Sequence, residues 1–180
     1  MPIFSIVGDI GSGKTLTACY FCYKAYKNGQ KIYSNINFSF PHEKLDNKFF
    51  SDYLNHGKQI NNCVVFIDEA YIYLDSRMTG TAQNRTLTYF ILQTRKKNVT
   101  LIYTSQFLGQ CDIRLRNNTD RVVYPKLYKN CNNSGQDVCK FAVQTPDGRT
   151  RKRMFVANLY YKLYDTKEIV SFEATKNDKN

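Results

Sequence analysis

The run Gly8-Asp9-Ile10-Gly11-Ser12-Gly13-Lys14-Thr15 fits the phosphate-loop pattern G-x-x-x-x-G-K-[ST] at every fixed position. Glycines in such a run let backbone N–H groups converge on an anion, and the helix that follows adds the positive end of its dipole. Lys14 is expected to reach the β- and γ-phosphates of a nucleoside triphosphate, and the Thr15 hydroxyl to ligate Mg²⁺. Gly8 through Leu16 is therefore the expected nucleotide cradle.

Further along the chain, Val64-Val65-Phe66-Ile67 runs into Asp68-Glu69. A buried strand that ends in two carboxylates places them at the C-terminal edge of a sheet, where ligands bind in open α/β folds. Asp68 is expected to hold the Mg²⁺ through water, and Glu69 to polarise the water that attacks the γ-phosphate. Adjacent acids also suit a helix N-terminus. The glycine loop upstream favours the catalytic reading. Gln106 follows a further strand and is expected at the same edge, where an amide orients the water or senses the γ-phosphate. Charge on the γ-phosphoryl oxygens in the transition state calls for an arginine, in cis or from a neighbour. The candidates are Arg77, Arg85, Arg95, Arg114, Arg116 and Arg121. Arg95, at the end of a helix, is favoured as a finger reaching a neighbouring subunit, with Arg77 and Arg116 as alternatives. A cation at a helix C-terminus equally suits the dipole.

These side chains need a scaffold. Ile3-Phe4-Ser5-Ile6-Val7 reads as a buried strand, and residues 15 to 27 read as a helix stopped by Asn28-Gly29. A second strand is expected over residues 31 to 36, then a polar loop over 37 to 45. Phe49, Phe50, Tyr53 and Leu54 recur at helical spacing between residues 46 and 55. Residues 63 to 67 read as a central strand, buried on both faces. Residues 71 to 83 are ambiguous. A helix over 84 to 97 precedes a strand over 99 to 104. This alternation implies a parallel sheet with right-handed crossovers and helices on both faces. The last third changes character. Residues 121 to 128, 138 to 144 and 153 to 165 are β-rich, with the turn Thr145-Pro146-Asp147-Gly148 between the last two. The expected fold class is α/β, a P-loop NTPase of the RecA/ASCE type: a mainly parallel sheet flanked by helices, with a C-terminal antiparallel hairpin. The expected organisation is an ATPase core over 1–128, a β-rich extension of the same domain over 129–172, and a flexible tail over 173–180.

Hydrophobic residues make up 42% of the 180, which excludes a disordered chain. With 26 Lys and Arg against 15 Asp and Glu, the net charge is +11, which points to a polyanionic partner, nucleic acid first. No run approaches the roughly 18 apolar residues that span a bilayer. Met1-Pro2-Ile3 leads into the first strand without a basic leader, so the expectation is a soluble intracellular chain. The six cysteines are then expected to be reduced. Cys19 and Cys22 share a helix face as buried small side chains rather than a C-x-x-C site. Cys131 and Cys139 flank a turn-rich stretch and carry no assigned function. The basic residues Lys126, Lys129, Lys140, Arg149, Arg151, Lys152 and Arg153 cluster in the β-rich end, and the run Arg149, Arg151, Lys152 and Arg153 follows a turn and is expected to be exposed. Such residues contact phosphates without regard to sequence.

The set GDIGSGKT, VVFIDEAYIYLDSR, FILQTRKKNVTLIYTSQ and CDIRLRNNTDRVV resembles the FtsK/HerA branch of P-loop ATPases. Within that branch it is most similar to the genome-packaging ATPases of internal-membrane viruses, archaeal ones included, and to zonula-occludens-toxin-like proteins. The resemblance covers about residues 3 to 125. The segment Tyr164-Asp165-Thr166-Lys167-Glu168 also looks like that group. It implies that Lys14 and Thr15 bind phosphate and magnesium, that Asp68 and Glu69 are the magnesium and catalytic carboxylates, and that Gln106 is the sensor. It further implies ATP and Mg²⁺ as cofactors, and a homo-oligomeric ring (pentamer or hexamer) that drives double-stranded DNA through its pore. The setting would be host cytoplasm or virion, with docking to capsid or internal-membrane proteins. The toxin-like relatives usually carry a transmembrane segment, which this sequence lacks. Two other readings stay open: a nucleotide or small-molecule kinase, and a nucleotide-gated virion assembly factor.

Overall fold

The computed structural model describes residues 2–46, 48, 49, 52, 53, 60–72, 89, 90, 97–131 and 135–168. Most of the helix expected over 84–97 lies outside them, as do Arg77, Arg85, Arg95, most of 71–83 and the tail. Of the helix expected over 46–55, Lys48, Phe49, Asp52 and Tyr53 are helical.

Strand β1 (Ile3–Val7) leads through the glycine loop into helix α1 (Lys14–Lys27). Buried Leu16, Cys19 and Cys22 recur along one face of α1, and Lys24 and Lys27 complement its C-terminal dipole. Asn28 and Gly29, the latter at φ 79°, end it. Then follow β2 (Lys31–Ser34), β3 (Glu43–Lys44), β4 (Cys63–Ile67) and β5 (Val99–Ser105). The short helix α2 (Ile113–Asn117) precedes β6 (Arg121–Tyr128), β7 (Val138–Gln144) and β8 (Thr150–Val156).

Among the described residues, eight strands form one sheet in the order β3-β2-β4-β5-β1-β6-β7-β8. Pairings from β3 through β6 are parallel, while β7 and β8 run antiparallel. This is the P-loop NTPase architecture with an antiparallel extension. Every residue of β4 is buried, as its unbroken apolar run requires.

Each face of the sheet carries its own core. One is built on Ile3, Val65, Leu101 and Tyr103, with Phe90, Cys111 and Leu115 packed over them. The other is built on Ile6, Val64, Phe66, Ile102 and Val123, covered by Leu16, Cys19 and Cys22 of α1. The same face continues onto the extension, where Tyr20 of α1 stacks on Phe155 with ring centroids 4.3 Å apart. Phe21 meets Phe141 edge-on at 5.4 Å. Aromatic pairs of this kind contribute about 0.5–1.5 kcal/mol each beyond burial. The extension is thus welded to α1 rather than hung beside it.

Three expectations are corrected. The second strand stops at Ser34 rather than residue 36, because the Ser34 hydroxyl accepts from Ile36 N–H at 3.1 Å and turns the chain. The polar loop over 37–45 contains β3 and a bridge between Phe38 and Tyr164. The β-rich stretch placed at 153–165 is strand only as far as Val156. Two 3-10 turns follow, Ala157–Leu159 and Tyr161–Leu163. The chain breaks there because the Asn158 side chain accepts from Asp137 N–H at 2.7 Å, and because Tyr160 folds under to meet Tyr20 edge-on at 5.2 Å.

Candidate active site

Parallel pairing puts the C-terminal ends of β1, β4 and β5 side by side, so the glycine loop, Asp68-Glu69 and Gln106 share one edge. The loop begins where Gly8 N–H donates to the Gln106 carbonyl at 3.1 Å. A Cβ on Gly8 would lie 2.8 Å from Ser12 Oγ, so a side chain there would force Ser12 to move, and it would have to adopt φ 153°, which favours glycine. Gly13 caps α1 in the left-handed region at φ 94°, which a side chain rarely adopts.

Lys14 folds back along the loop, its Nζ donating to the Gly8 and Asp9 carbonyls at 2.9 Å each. Burial pulls its ammonium below the ordinary lysine value, while Asp68, Glu69 and Asp9 oppose that pull. Thr15 Oγ1 lies 3.2 Å from both carboxylate oxygens of Asp68, a residue 53 positions away. Asp68 is buried, and burial pushes its carboxyl above the usual range; hydrogen bonds from Thr104 and Thr15 counter the shift. Thr104 Oγ1 donates to Asp68 Oδ1 at 2.6 Å and accepts from Glu69 N–H at 2.8 Å. Asn35 clamps the Asp68 peptide from the other side. Its Oδ1 accepts from Asp68 N–H at 2.7 Å, and its Nδ2 donates to the Asp68 carbonyl at 3.0 Å. Glu69 sits at φ 50°, a left-handed conformation that costs a non-glycine residue about 1–2 kcal/mol. Thr104 and Asn35 hold that turn in place.

These groups line a cleft of about 480 Å³ that takes in Lys14, Thr15, Asp68, Glu69 and Gln106. A second lobe of about 430 Å³ lies on the β6 side of the loop and shares Lys14, Thr15 and Tyr164 with the first. The segment after β8 crosses this edge as a strap. Ser39 N–H donates to the Leu163 carbonyl at 2.9 Å. Asn37 donates twice to the Glu168 carboxylate, from N at 2.8 Å and Nδ2 at 2.7 Å. Tyr164 through Glu168 consequently form part of the cleft wall.

Thr15 Oγ1 and the Asp68 carboxylate are hard oxygen donors. The pair suits Mg²⁺, which takes one or two protein ligands and completes its octahedron with phosphate oxygens and water. Among the described residues, no group of three or more His, Cys, Asp or Glu could form a metal cage.

Of the residues singled out from sequence, Gly8 through Thr15, Asp68, Glu69 and Gln106 meet at this edge. Arg116 does not: it is half-buried on α2, its charge felt by Tyr103 and Cys111. Arg114 pairs with Asp112, the N-cap of α2, at 3.1 Å. The Arg121 guanidinium lies 5.7 Å over the Phe4 ring. Arg149, Arg151, Lys152 and Arg153 are all exposed, far along the sheet on the extension. Cys19 and Cys22 are free and buried, Cys139 is free and buried, and Cys131 is free and exposed. Burial pushes the Cys19 thiol up to about 12, which marks a packing residue and not a redox one. Sequence reasoning missed Asn35 and Thr104 as site residues. The signal for Thr104 was a hydroxyl at the end of an apolar strand, since such a buried group must find a partner.

The family model of the ATPase family associated with various cellular activities (AAA) matches residues 4–127. The chain belongs to that family. As an AAA-family member with this loop it is a P-loop ATPase. Its fold is similar to the N-terminal domain of zonular occludens toxin from Neisseria meningitidis, with TM-score 0.62 and 18% identity over 91% of this chain and 98% of that one. It is also similar to the genome-packaging NTPase B204 of Sulfolobus turreted icosahedral virus 2, solved with ATP-gammaS, at TM-score 0.58 and 14% identity, covering 84% and 96%. The DNA-packaging ATPase B204 from Sulfolobus turreted icosahedral virus matches at TM-score 0.58 and 15% identity, again covering 84% and 96%. No curated protein shows significant sequence similarity to the chain. Among the described residues no helix is long and apolar enough to cross a membrane.

Proposed function

We propose that this AAA-family ATPase couples ATP hydrolysis to movement of double-stranded DNA, as the subunit of a viral genome-packaging motor. The observation that carries the hydrolytic half is the meeting of Thr15 with Asp68 opposite Lys14, and Glu69 beside them on a strained turn. In this reading residues Gly8–Leu16 cradle the phosphates, and Lys14 leaves its carbonyl partners for the β- and γ-phosphates. Mg²⁺, held by Thr15 and through water by Asp68, would supply charge neutralisation at the phosphate oxygens. Glu69 takes a proton from water aligned for in-line attack, and Gln106 orients that water. Arg95 of a neighbouring subunit stabilises the developing charge, with Arg77 and Arg116 as alternatives. The nucleoside lies in the second lobe, on the β6 side of the loop.

The DNA half rests on the surplus of +11 and on the exposed Arg149, Arg151, Lys152 and Arg153 of the extension. The fold is shared with the genome-packaging NTPase B204, and genome packaging as the task of this motor is taken from that likeness. Residues 1–128 serve as the motor core, 129–172 as its extension and 173–180 as a tail. The setting is host cytoplasm or the virion, with capsid or internal-membrane proteins as docking partners. A kinase would need an acceptor in place of water, and Glu69 with Gln106 serves water better.

The deciding experiment measures phosphate release with and without duplex DNA, alongside the mass of the particle. Release without any added acceptor, raised by duplex on an oligomer, is expected. A DNA-insensitive monomer would overturn the motor reading.

A further inference from the structure

The strand pleat splits the extension into two faces. Val123, Pro125 and Leu127 of β6 register with Val143, Phe141 and Cys139 of β7, and this face packs on α1. Arg151 and Arg153 register with Val143 and Phe141, so they belong to that face of the edge strand. The opposite face carries Tyr124, Lys126 and Tyr128 of β6, Lys140 of β7, and Lys152 and Met154 of β8. In the core of the sheet this same side is covered by Phe90, Cys111 and Leu115. Over the extension it is open. Tyr124 is 43% exposed and Met154 68%, and the face forms a shallow groove of about 440 Å³.

Two features set this groove apart from an ordinary solvated sheet. Lys126 and Lys140 stand directly opposite each other across β6 and β7. Like charges in that position destabilise a sheet. Both ammoniums converge on one ring, at 5.4 and 5.1 Å from the centre of Tyr128. Moreover, no Asp or Glu occurs anywhere in β6, β7 or β8, so nothing within these strands neutralises the cluster.

We propose that this open face of β6–β8 is the surface on which the motor grips duplex DNA, with Lys126, Lys140 and Lys152 on backbone phosphates and Tyr124 hydrogen-bonding beside them. The inference rests on the DNA-motor reading above and narrows its contact surface: of the basic run after the turn, Lys152 lies on this face while Arg151 and Arg153 lie on the other. The lysines set this face against its own counterpart on a second copy, because like charges would meet across such a contact, so the occupant it suits is a polyanion. Single strands bind by stacking successive bases on open rings. Here two ammoniums already lie over Tyr128. Phosphate contact remains, and a duplex presents one charge per roughly 1.7 Å of axis.

The test compares the full chain with K126Q/K140Q and with K24Q/K27Q, which removes equal charge from the exposed end of α1. Fluorescence anisotropy with a labelled duplex and with a single strand of the same sequence is read across a salt series, and circular dichroism checks folding. The expected result is an affinity loss of at least about tenfold for duplex in K126Q/K140Q, with the salt slope reduced by about two, and little change in the α1 variant. Equal losses in both variants would reduce the effect to bulk charge and overturn the proposal. So would duplex affinity unchanged in K126Q/K140Q, or a loss confined to the single strand; in each of these cases the motor reading survives. If the unaltered chain binds no duplex at all, the motor reading itself fails. Should K126Q/K140Q misfold, K126R/K140R decides: retained charge must retain duplex binding, and its loss counts against the proposal.

Discussion

Thr104 touches no substrate in the proposed mechanism, yet both acids depend on it. Its hydroxyl donates to Asp68 and accepts from the Glu69 peptide, at 2.6 and 2.8 Å. Thr104→Val keeps the shape and removes both contacts, leaving a buried carboxylate short of a donor. The expected cost is about 1.5–3 kcal/mol in a thermal melt, with a loss of turnover that Thr104→Ser restores. Glu69→Gln separates binding from chemistry. The amide keeps the side chain's size but cannot take a proton, so phosphate release is expected to fall on the order of 10²–10⁴-fold while affinity for a fluorescent ATP analogue stays within about twofold. Turnover near that of the unaltered chain would remove Glu69 from the mechanism.

Helix α1 serves two masters. Its N-terminus holds the phosphate loop, and its aromatic side chains hold the extension. Phe155 is the joint, stacked on Tyr20 and edge-on to Tyr160. Phe155→Ala is expected to cost about 3–5 kcal/mol, a fall of roughly 10 °C in melting temperature. Because the strap starts from this joint and forms a wall of the cleft, nucleotide affinity should fall with it. A melt that loses stability while nucleotide affinity is untouched would show that strap and joint are independent. The strap also explains why the nucleotide edge involves residues from both ends of the chain: Asn37 and Glu168 are 131 positions apart and share two hydrogen bonds.

A ring of subunits each carrying +11 repels itself, so assembly should be favoured by salt or by duplex DNA threaded between the subunits. In the proposed ring the arginine finger is a property of pairs of subunits. Arg95→Ala subunits retain a complete cradle, and Lys14→Ala subunits retain the finger. Mixing the two inactive proteins should recover part of the ATPase rate, because some interfaces combine an intact cradle with an intact Arg95. No recovery at any ratio, with mixed particles confirmed by mass, would point to Arg77 or Arg116 instead.

The glycine loop, the acid pair and the strand bearing each were legible because they are local. The loop demands Gly8 and Gly13 at fixed spacing, and an apolar run such as Cys63–Ile67 fits a strand buried on both faces. Glu69 and Gln106 could be placed at one edge from the α/β alternation alone, since parallel strands end on the same side. What no local pattern encodes is which distant residues meet. The clamp of Asn35 on Asp68, the return of residues 160–168 over the cleft, and the sorting of Lys126, Lys140 and Lys152 onto one open face depend on strand order and register. Those follow from long-range packing, in which α1 selects the side of the extension it covers and thereby leaves the other side bare.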